Sequence, residues 1–176
     1  MVVRCRAGLP MPSAIATSSA TVLAEPCSEP AIREIVSSYE RWVRQERTIK
    51  AVVVYDTMWQ STARMARAVG EGLTAGGAAV KLVRMDASHR SDVATEILDA
   101  GALVVGSPTL NNTIFPTVAD VLTYLRGLKP KGLIGAAFGS YGWSGEAPRQ
   151  LHAMLAEMDV ETVAEPPEEP FHGCAV

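Results

Sequence analysis

The sequence predicts an α/β fold: a doubly wound, three-layer sandwich with a five-stranded parallel sheet in the order 2-1-3-4-5. Three observations predict it. Residues 52–55, 102–106 and 133–138 are nearly unbroken runs of apolar or small residues, as expected of parallel strands covered on both faces. Amphipathic segments of helical period separate these runs. Two further runs, VKLVR (80–84) and VETV (160–163), mix charge with apolar residues and suit the sheet edges. Right-handed crossovers between five such strands then give the stated order.

The elements follow in turn. Residues 31–47 form a helix that carries Ile32, Ile35, Val36, Tyr39, Trp42 and Val43 on one face, with Ser28 before it and Arg41, Arg44 and Arg47 toward its end. The first strand stops at Asp56, and the next helix turns Met65, Val69 and Leu73 inward; Gly70-Glu71-Gly72 lies inside that helix, where it aids packing and is no dinucleotide-binding turn. Residues 92–99 give a short helix on Val93, Ile97 and Leu98. Pro116 opens another, striped by Val118, Val121, Leu122 and Leu125 and closed by Gly127 and Pro130. Ser144 caps the next, with Pro148 in its first turn and Leu151, Met154, Leu155 and Met158 inward. Pro166, Pro167 and Pro170 forbid a further helix, so the helix at 31–47 is expected to cover the sheet face left bare.

Three loops at the carboxyl ends of the central strands carry the chemistry. The first, DTMWQST (56–62), opens straight into a helix whose free backbone N–H groups carry about half a positive charge. Thr57, Ser61 and Thr62 add hydroxyls, and no Lys or Arg lies in the loop, so it suits an anion held by neutral donors and excludes a lysine-bearing triphosphate loop. Asp56 is read as a local cap of N–H groups and not as a catalyst. The second loop is SPTLNN (107–112) and the third GSYGWSG (139–145). Tyr141 and Trp143 offer flat stacking surfaces, and Gly139, Gly142 and Gly145 let backbone approach a planar ring. A heteroaromatic cofactor with one phosphate fits the set.

YDTMWQST, GSPTLNN and AFGSYGWSGEA, in that order and spacing, closely resemble the flavodoxin-like domain of flavodiiron proteins, the A-type flavoproteins, over about residues 30 to 163. The resemblance implies a flavodoxin-like fold and flavin mononucleotide (FMN) as cofactor. It places the phosphate on Thr57, Met58, Trp59, Gln60, Ser61 and Thr62. The isoalloxazine falls between Pro108, Thr109, Leu110, Asn111 and Asn112 on one side and Ser140, Tyr141, Gly142, Trp143 and Ser144 on the other. It further implies an electron-transfer module between a reductant and a partner oxidoreductase centre, with redox proteins as donor and acceptor: a rubredoxin-like donor, or a separate diiron protein. An FMN-dependent reductase of quinones or metal ions, and a truncated non-catalytic scaffold, are the alternatives. The family pattern has glycine where this chain has Gln60, which predicts a strained left-handed residue and weakened FMN binding.

The remaining features exclude other classes. Sixteen basic and nineteen acidic side chains give a net charge of −3 without a basic stripe, which disfavours nucleic acid and anionic membrane as partners. Cys5, Cys27 and Cys174 lie outside the predicted sheet and form no C-x-x-C, which suits a reducing cytoplasm. His89, His152 and His172 are too scattered for the diiron motif of the complete family members and are read as solvent-facing. Gly142-Trp143-Ser144-Gly145 misses the G-x-S-x-G of a serine hydrolase, and no triad follows. The expected organisation is a disordered leader at 1–29, a linker helix at 30–48, the FMN domain at 49–163 and a tail at 164–176; a homodimer is left open.

Overall fold

In the computed structural model the described residues are 29–44, 46–142, 144–163 and the backbone of Cys174–Ala175. The chain divides between Val43 and Arg44. The first unit contributes helix α1, Glu29–Arg44, which ends three residues before the predicted limit. Its apolar face is exposed, from Ile32 and Val36 to Val43, and none of its residues is buried. Tyr39 and Trp42 meet edge to face at 5.2 Å between ring centroids.

The second unit holds the sheet. Its strands are β1 (Lys50–Tyr55), β2 (Ala79–Arg84), β3 (Ala102–Leu110), β4 (Thr113–Ile114), β5 (Ile134–Ser140), β6 (Glu161–Thr162) and β7 (Cys174–Ala175). Helices α2 (Ser61–Ala75), α3 (Arg90–Ile97), α4 (Pro116–Leu128) and α5 (Glu146–Glu157) connect them. The order across the sheet is β2-β1-β3-β5-β6, all parallel, which is the predicted 2-1-3-4-5 once the small return strand β4 is set aside. The charged runs fall at the two edges, as their composition requires.

Strand alternation sorts the core into two layers. Val52, Val54, Leu103 and Val105 pack against Val93 and Ile97 of α3, Val118, Val121, Leu122 and Leu125 of α4, and Leu151 and Leu155 of α5. Val53, Tyr55, Val104 and Phe138 point the other way and pack against Ala63, Ala66, Met65, Val69 and Leu73 of α2. Among the described helices of this unit, α2 alone joins the second layer. That layer is open at its margins, where Leu82 and Ile134 are about two-fifths exposed.

Several boundaries differ from the sequence reading. Strand β3 runs on through Ser107 and Pro108 to Leu110, because beyond Tyr55 its β1 side has no partner and the missing N–H of Pro108 costs no ladder bond. It then returns through Asn111 and Asn112, both at positive φ, into β4. Helix α3 starts earlier than predicted, at Arg90: His89 Nδ1 accepts from Ser91 N at 3.2 Å and Asp92 accepts from His89 N at 2.8 Å. His89 is therefore a cap as well as exposed. Helix α4 passes Gly127 and stops one residue later, with Lys129 taking the left-handed turn instead. Gly145, not Ser144, is the N-cap of α5. Cys174, expected outside the sheet, pairs through its backbone with Ser140 in antiparallel β7. Pro166, Pro167 and Pro170 lie outside the described residues.

Ionic side chains gather at the amino ends of the strands. Lys50 Nζ lies 2.8 Å from Glu96 and 2.7 Å from Asp99, tying β1 to α3, and its hydrogen bond holds the Glu96 carboxyl below its ordinary range. At the carboxyl ends Arg84 of β2 pairs with Asp86, while the three loops 56–62, 107–112 and 139–145 carry Asp56 as their one charged residue.

Gly106 fixes the lateral packing there. It stands between Tyr55 and Phe138 in register, and a Cβ on it would lie 2.2 Å from Phe138 Cζ. Gly106→Ala is expected to cost about 1–3 kcal/mol in chemical denaturation through overpacking. Adding Phe138→Leu should recover part of that loss; a fully stable single variant would contradict this packing.

Candidate functional site

The first loop starts from a buried carboxylate. Asp56, 2 % exposed, accepts from Thr57 N at 2.7 Å through Oδ1 and from the Thr117 hydroxyl through Oδ2. Oδ1 thus caps a local N–H group, the role expected of Asp56, and Oδ2 ties the loop to the first turn of α4. Thr117 was not anticipated.

The loop then reaches α2 through Gln60, whose backbone is left-handed at φ 63°, ψ −2°. This conformation is the one expected from the departure at that position, and its side chain makes no capping hydrogen bond. Among the described residues no side chain is seen to accept from the leading N–H groups of α2, the arrangement that favours an anion. Met58 is 39 % exposed and Trp59 84 %, so neither ring nor thioether is spent on the core.

Hydroxyls link this loop to the third. Ser140, at the end of β5, lies 2.8 Å from Thr62 Oγ1 and accepts from Ser61 Oγ at 3.0 Å. Thr62 and Ser140 are buried. Two of the hydroxyls expected to serve a ligand, those of Ser61 and Thr62, are therefore bonded to Ser140 and join the first turn of α2 to the end of β5. Thr57 differs: its Oγ1 is buried and has no hydrogen-bond partner among the described residues. A buried hydroxyl left without a partner costs about 1–3 kcal/mol, and an anion at the turn would supply the missing acceptor. On this observation the residues present fit a phosphate-bearing cofactor.

The second loop is a tight hairpin. Pro108, Thr109 and Leu110 belong to β3, and Asn111 and Asn112 form its turn at φ 50° and 60°. Asparagine tolerates that region better than most residues with a Cβ. The turn is held from α5: Gln150 Oε1 accepts from Thr113 Oγ1 at 2.8 Å and from Ile114 N at 3.2 Å, while Gln150 Nε2 donates to the Asn112 carbonyl at 3.0 Å. Ser144 Oγ donates to Asn112 Oδ1 at 3.4 Å, so the residue expected to cap α5 bridges two loops instead.

Two glycines expected to admit a planar ring serve packing. A Cβ on Gly139 would lie 2.6 Å from the Ser107 carbonyl, and one on Gly145 would lie 3.1 Å from the Tyr141 ring. At Gly142 a Cβ would meet open space. Tyr141 is half-buried, and Trp143 lies outside the described residues. No group of three or more His, Cys, Asp or Glu among the described residues is placed to hold a metal ion. No described helix is long and apolar enough to cross a membrane.

The flavodoxin sequence profile matches residues 53–173, which takes in all three loops. The chain belongs to the flavodoxin family. Its relatives place this flavodoxin domain among those carried by flavodiiron proteins. It is 50 % identical over 132 residues to the nitric oxide reductase of Moorella thermoacetica, covering 75 % of this chain and 33 % of that protein. The solved structure of rubredoxin oxygen:oxidoreductase from the anaerobe Desulfovibrio gigas matches with a TM-score of 0.75 at 43 % identity, over 81 % of this chain and 36 % of that one. A flavodoxin from the domain Archaea matches at 0.59 and 32 % identity, over 66 % of this chain and 79 % of that one. The chain spans about a third of the length of the curated relatives it matches. FMN is the cofactor of this domain type, in keeping with the orphaned Thr57 hydroxyl.

Two outcomes test the cradle. Thr57→Val keeps the shape and removes the hydroxyl. It is expected to weaken FMN by about 1.5–3 kcal/mol, roughly ten- to a hundredfold in a fluorescence titration, because a hydrogen bond to a charged acceptor is lost. Unchanged affinity would remove Thr57 from the phosphate site. Gln60→Gly relieves a left-handed residue that costs about 1–2 kcal/mol, offset in part by about 0.5–1 kcal/mol of added chain entropy. It should melt slightly higher and bind FMN more tightly; no gain in either would show that this turn accepts a side chain without strain.

Proposed function

We propose that this domain is an FMN-dependent electron carrier, taking electrons from a reductant and passing them to a partner oxidoreductase centre. The observation that carries the reading is the buried, unpartnered Thr57 hydroxyl in a turn whose other donors are neutral and whose helix presents its N-terminus. In that reading the 57–62 turn holds the phosphate, and Pro108 to Asn112 and Ser140 to Ser144 flank the ring. Residues 49–163 form the cofactor unit, with 30–48 as a linker.

The flavin, when bound, supplies the redox chemistry, and the protein tunes it through hydrogen bonds, packing and charge. The loops offer the ring's polar edge the side-chain amides of Asn111 and Asn112 and nearby backbone N–H groups. Such donors favour negative charge on a reduced ring, and none of the residues of the three loops is Lys or Arg. Solvent-facing Trp59 and Met58 border the cradle, where a docking redox protein would meet them. A rubredoxin-like donor and a diiron acceptor, carried by a separate protein or by a longer chain, are the partners this reading favours. Rubredoxin and oxygen appear in the name of one relative, and nitric oxide in that of another.

Purified protein is expected to be yellow, with the absorbance bands of oxidised flavin and phosphate-bearing flavin released on denaturation. Reduced protein should be reoxidised faster by a diiron flavoprotein core than by free quinone. Colourless material that stays so after incubation with excess FMN would refute the carrier. Preferential turnover with quinone would instead favour a flavin-dependent reductase.

A further inference from the structure

Gln150 is the one side chain on α5 that grips the Asn111–Asn112 turn through both ends of its amide. Its oxygen receives two hydrogen bonds, from Thr113 and Ile114, and its nitrogen gives one, to the Asn112 carbonyl. The turn needs such a grip. Both of its central residues sit at positive φ without being glycine, and although asparagine tolerates that region, two in succession hold one conformation best when surrounding contacts support it. Neighbouring bonds act in the same sense: Ala147 N donates to Thr109 Oγ1 at 3.4 Å, and Phe115 N donates to Ser107 Oγ at 2.8 Å. Those two fix the stem of the hairpin, whereas Gln150 reaches the backbone of its tip and of the return strand.

We propose that Gln150 is a positioning residue for the flavin ring, acting through the hairpin turn and without touching the cofactor. The inference rests on the reading that this turn faces the isoalloxazine. An amide is required because donor and acceptor are used together at once. A carboxylate could accept from Thr113 and Ile114 but would repel the Asn112 carbonyl, and an apolar isostere would leave the part-buried Ile114 N without its acceptor and hand the exposed Thr113 hydroxyl and Asn112 carbonyl over to water. Loss of the grip lets the turn leave its left-handed conformation and withdraws the Asn111 and Asn112 amides from the ring edge. The phosphate cradle, built on β1, α2 and β5, keeps its own hydrogen bonds.

The test compares Gln150→Met with Leu155→Val, a core change on the same helix that loosens α5 without reaching the turn. Dissociation constants for FMN and for riboflavin, which has the ring but no phosphate, are measured for both variants and the parent, with midpoint potentials of the bound flavin and melting temperatures. Gln150→Met should weaken FMN and riboflavin by the same factor, about tenfold, and shift the midpoint potential. Leu155→Val should lower the melting temperature and leave both constants and the potential in place. Unchanged constants and potential in Gln150→Met overturn the inference while the carrier reading stands. Equal effects in Leu155→Val reduce Gln150 to a structural role and overturn it too, as does a loss confined to FMN. Parent protein that binds neither flavin overturns this inference together with the reading beneath it.

Discussion

The structure depends on how the first turn of α2 is held open toward the carboxyl edge of the sheet. A helix start that caps itself has no need of a ligand; this one has no side-chain cap, because Gln60 turns left-handed and its amide stays out of reach. Asp56 fixes the turn from below by accepting from Thr57 N and Thr117, and Ser140 fixes it from the side through Ser61 and Thr62. What is left facing outward is a row of backbone N–H groups and one buried hydroxyl. Such a site discriminates by geometry and partial charge, so it suits a single phosphate and offers no lysine to a triphosphate.

The two halves of the site are built differently. The cradle rests on the core itself: β1 and β5 are central strands, and the α2 layer packs Ala63 and Ala66 against Val53 and Phe138. The rim, proposed to face the ring, is a hairpin extending past the sheet, stabilised by α5 through side-chain amide bonds. In the proposed reading the phosphate turn and the hairpin are held by separate sets of hydrogen bonds, so either can be altered while the other keeps its partners. That division follows from the doubly wound topology, which delivers β1, β3 and β5 to one crevice but each with its own loop.

Much of this was readable from local pattern. The apolar runs of β1, β3 and β5, the charged edges β2 and β6, the Pro116 start of α4 and the inward residues of α2 all carry short-range signals, since burial on both faces or on one stripe repeats every few residues. The left-handed turn at Gln60 was visible as a departure from the family pattern. The missed features share a cause. Gln150 meets Ile114 and Asn112 across 36 and 38 residues, and Thr117 meets Asp56 across 61. A polar residue within an amphipathic helix reads as solvent-facing until the tertiary fold supplies its partner. Ser144 was likewise assigned to the nearest helix because capping is local, whereas its bond to Asn112 is not. Gly139 and Gly145 were assigned to the ring because spacing says that a glycine is needed, and not against which atom.

The central claim is that backbone N–H groups of residues 58–62, with the Thr57 hydroxyl, hold the cofactor's phosphate. Amide proton–nitrogen correlation spectra of labelled protein, recorded with FMN and with riboflavin at saturation, address it directly. The account predicts large downfield proton shifts for amides in the 58–62 turn with FMN and much smaller ones with riboflavin, while the amides of Asn111 and Asn112 respond to both. Turn amides that stay in place when FMN saturates the protein would contradict it.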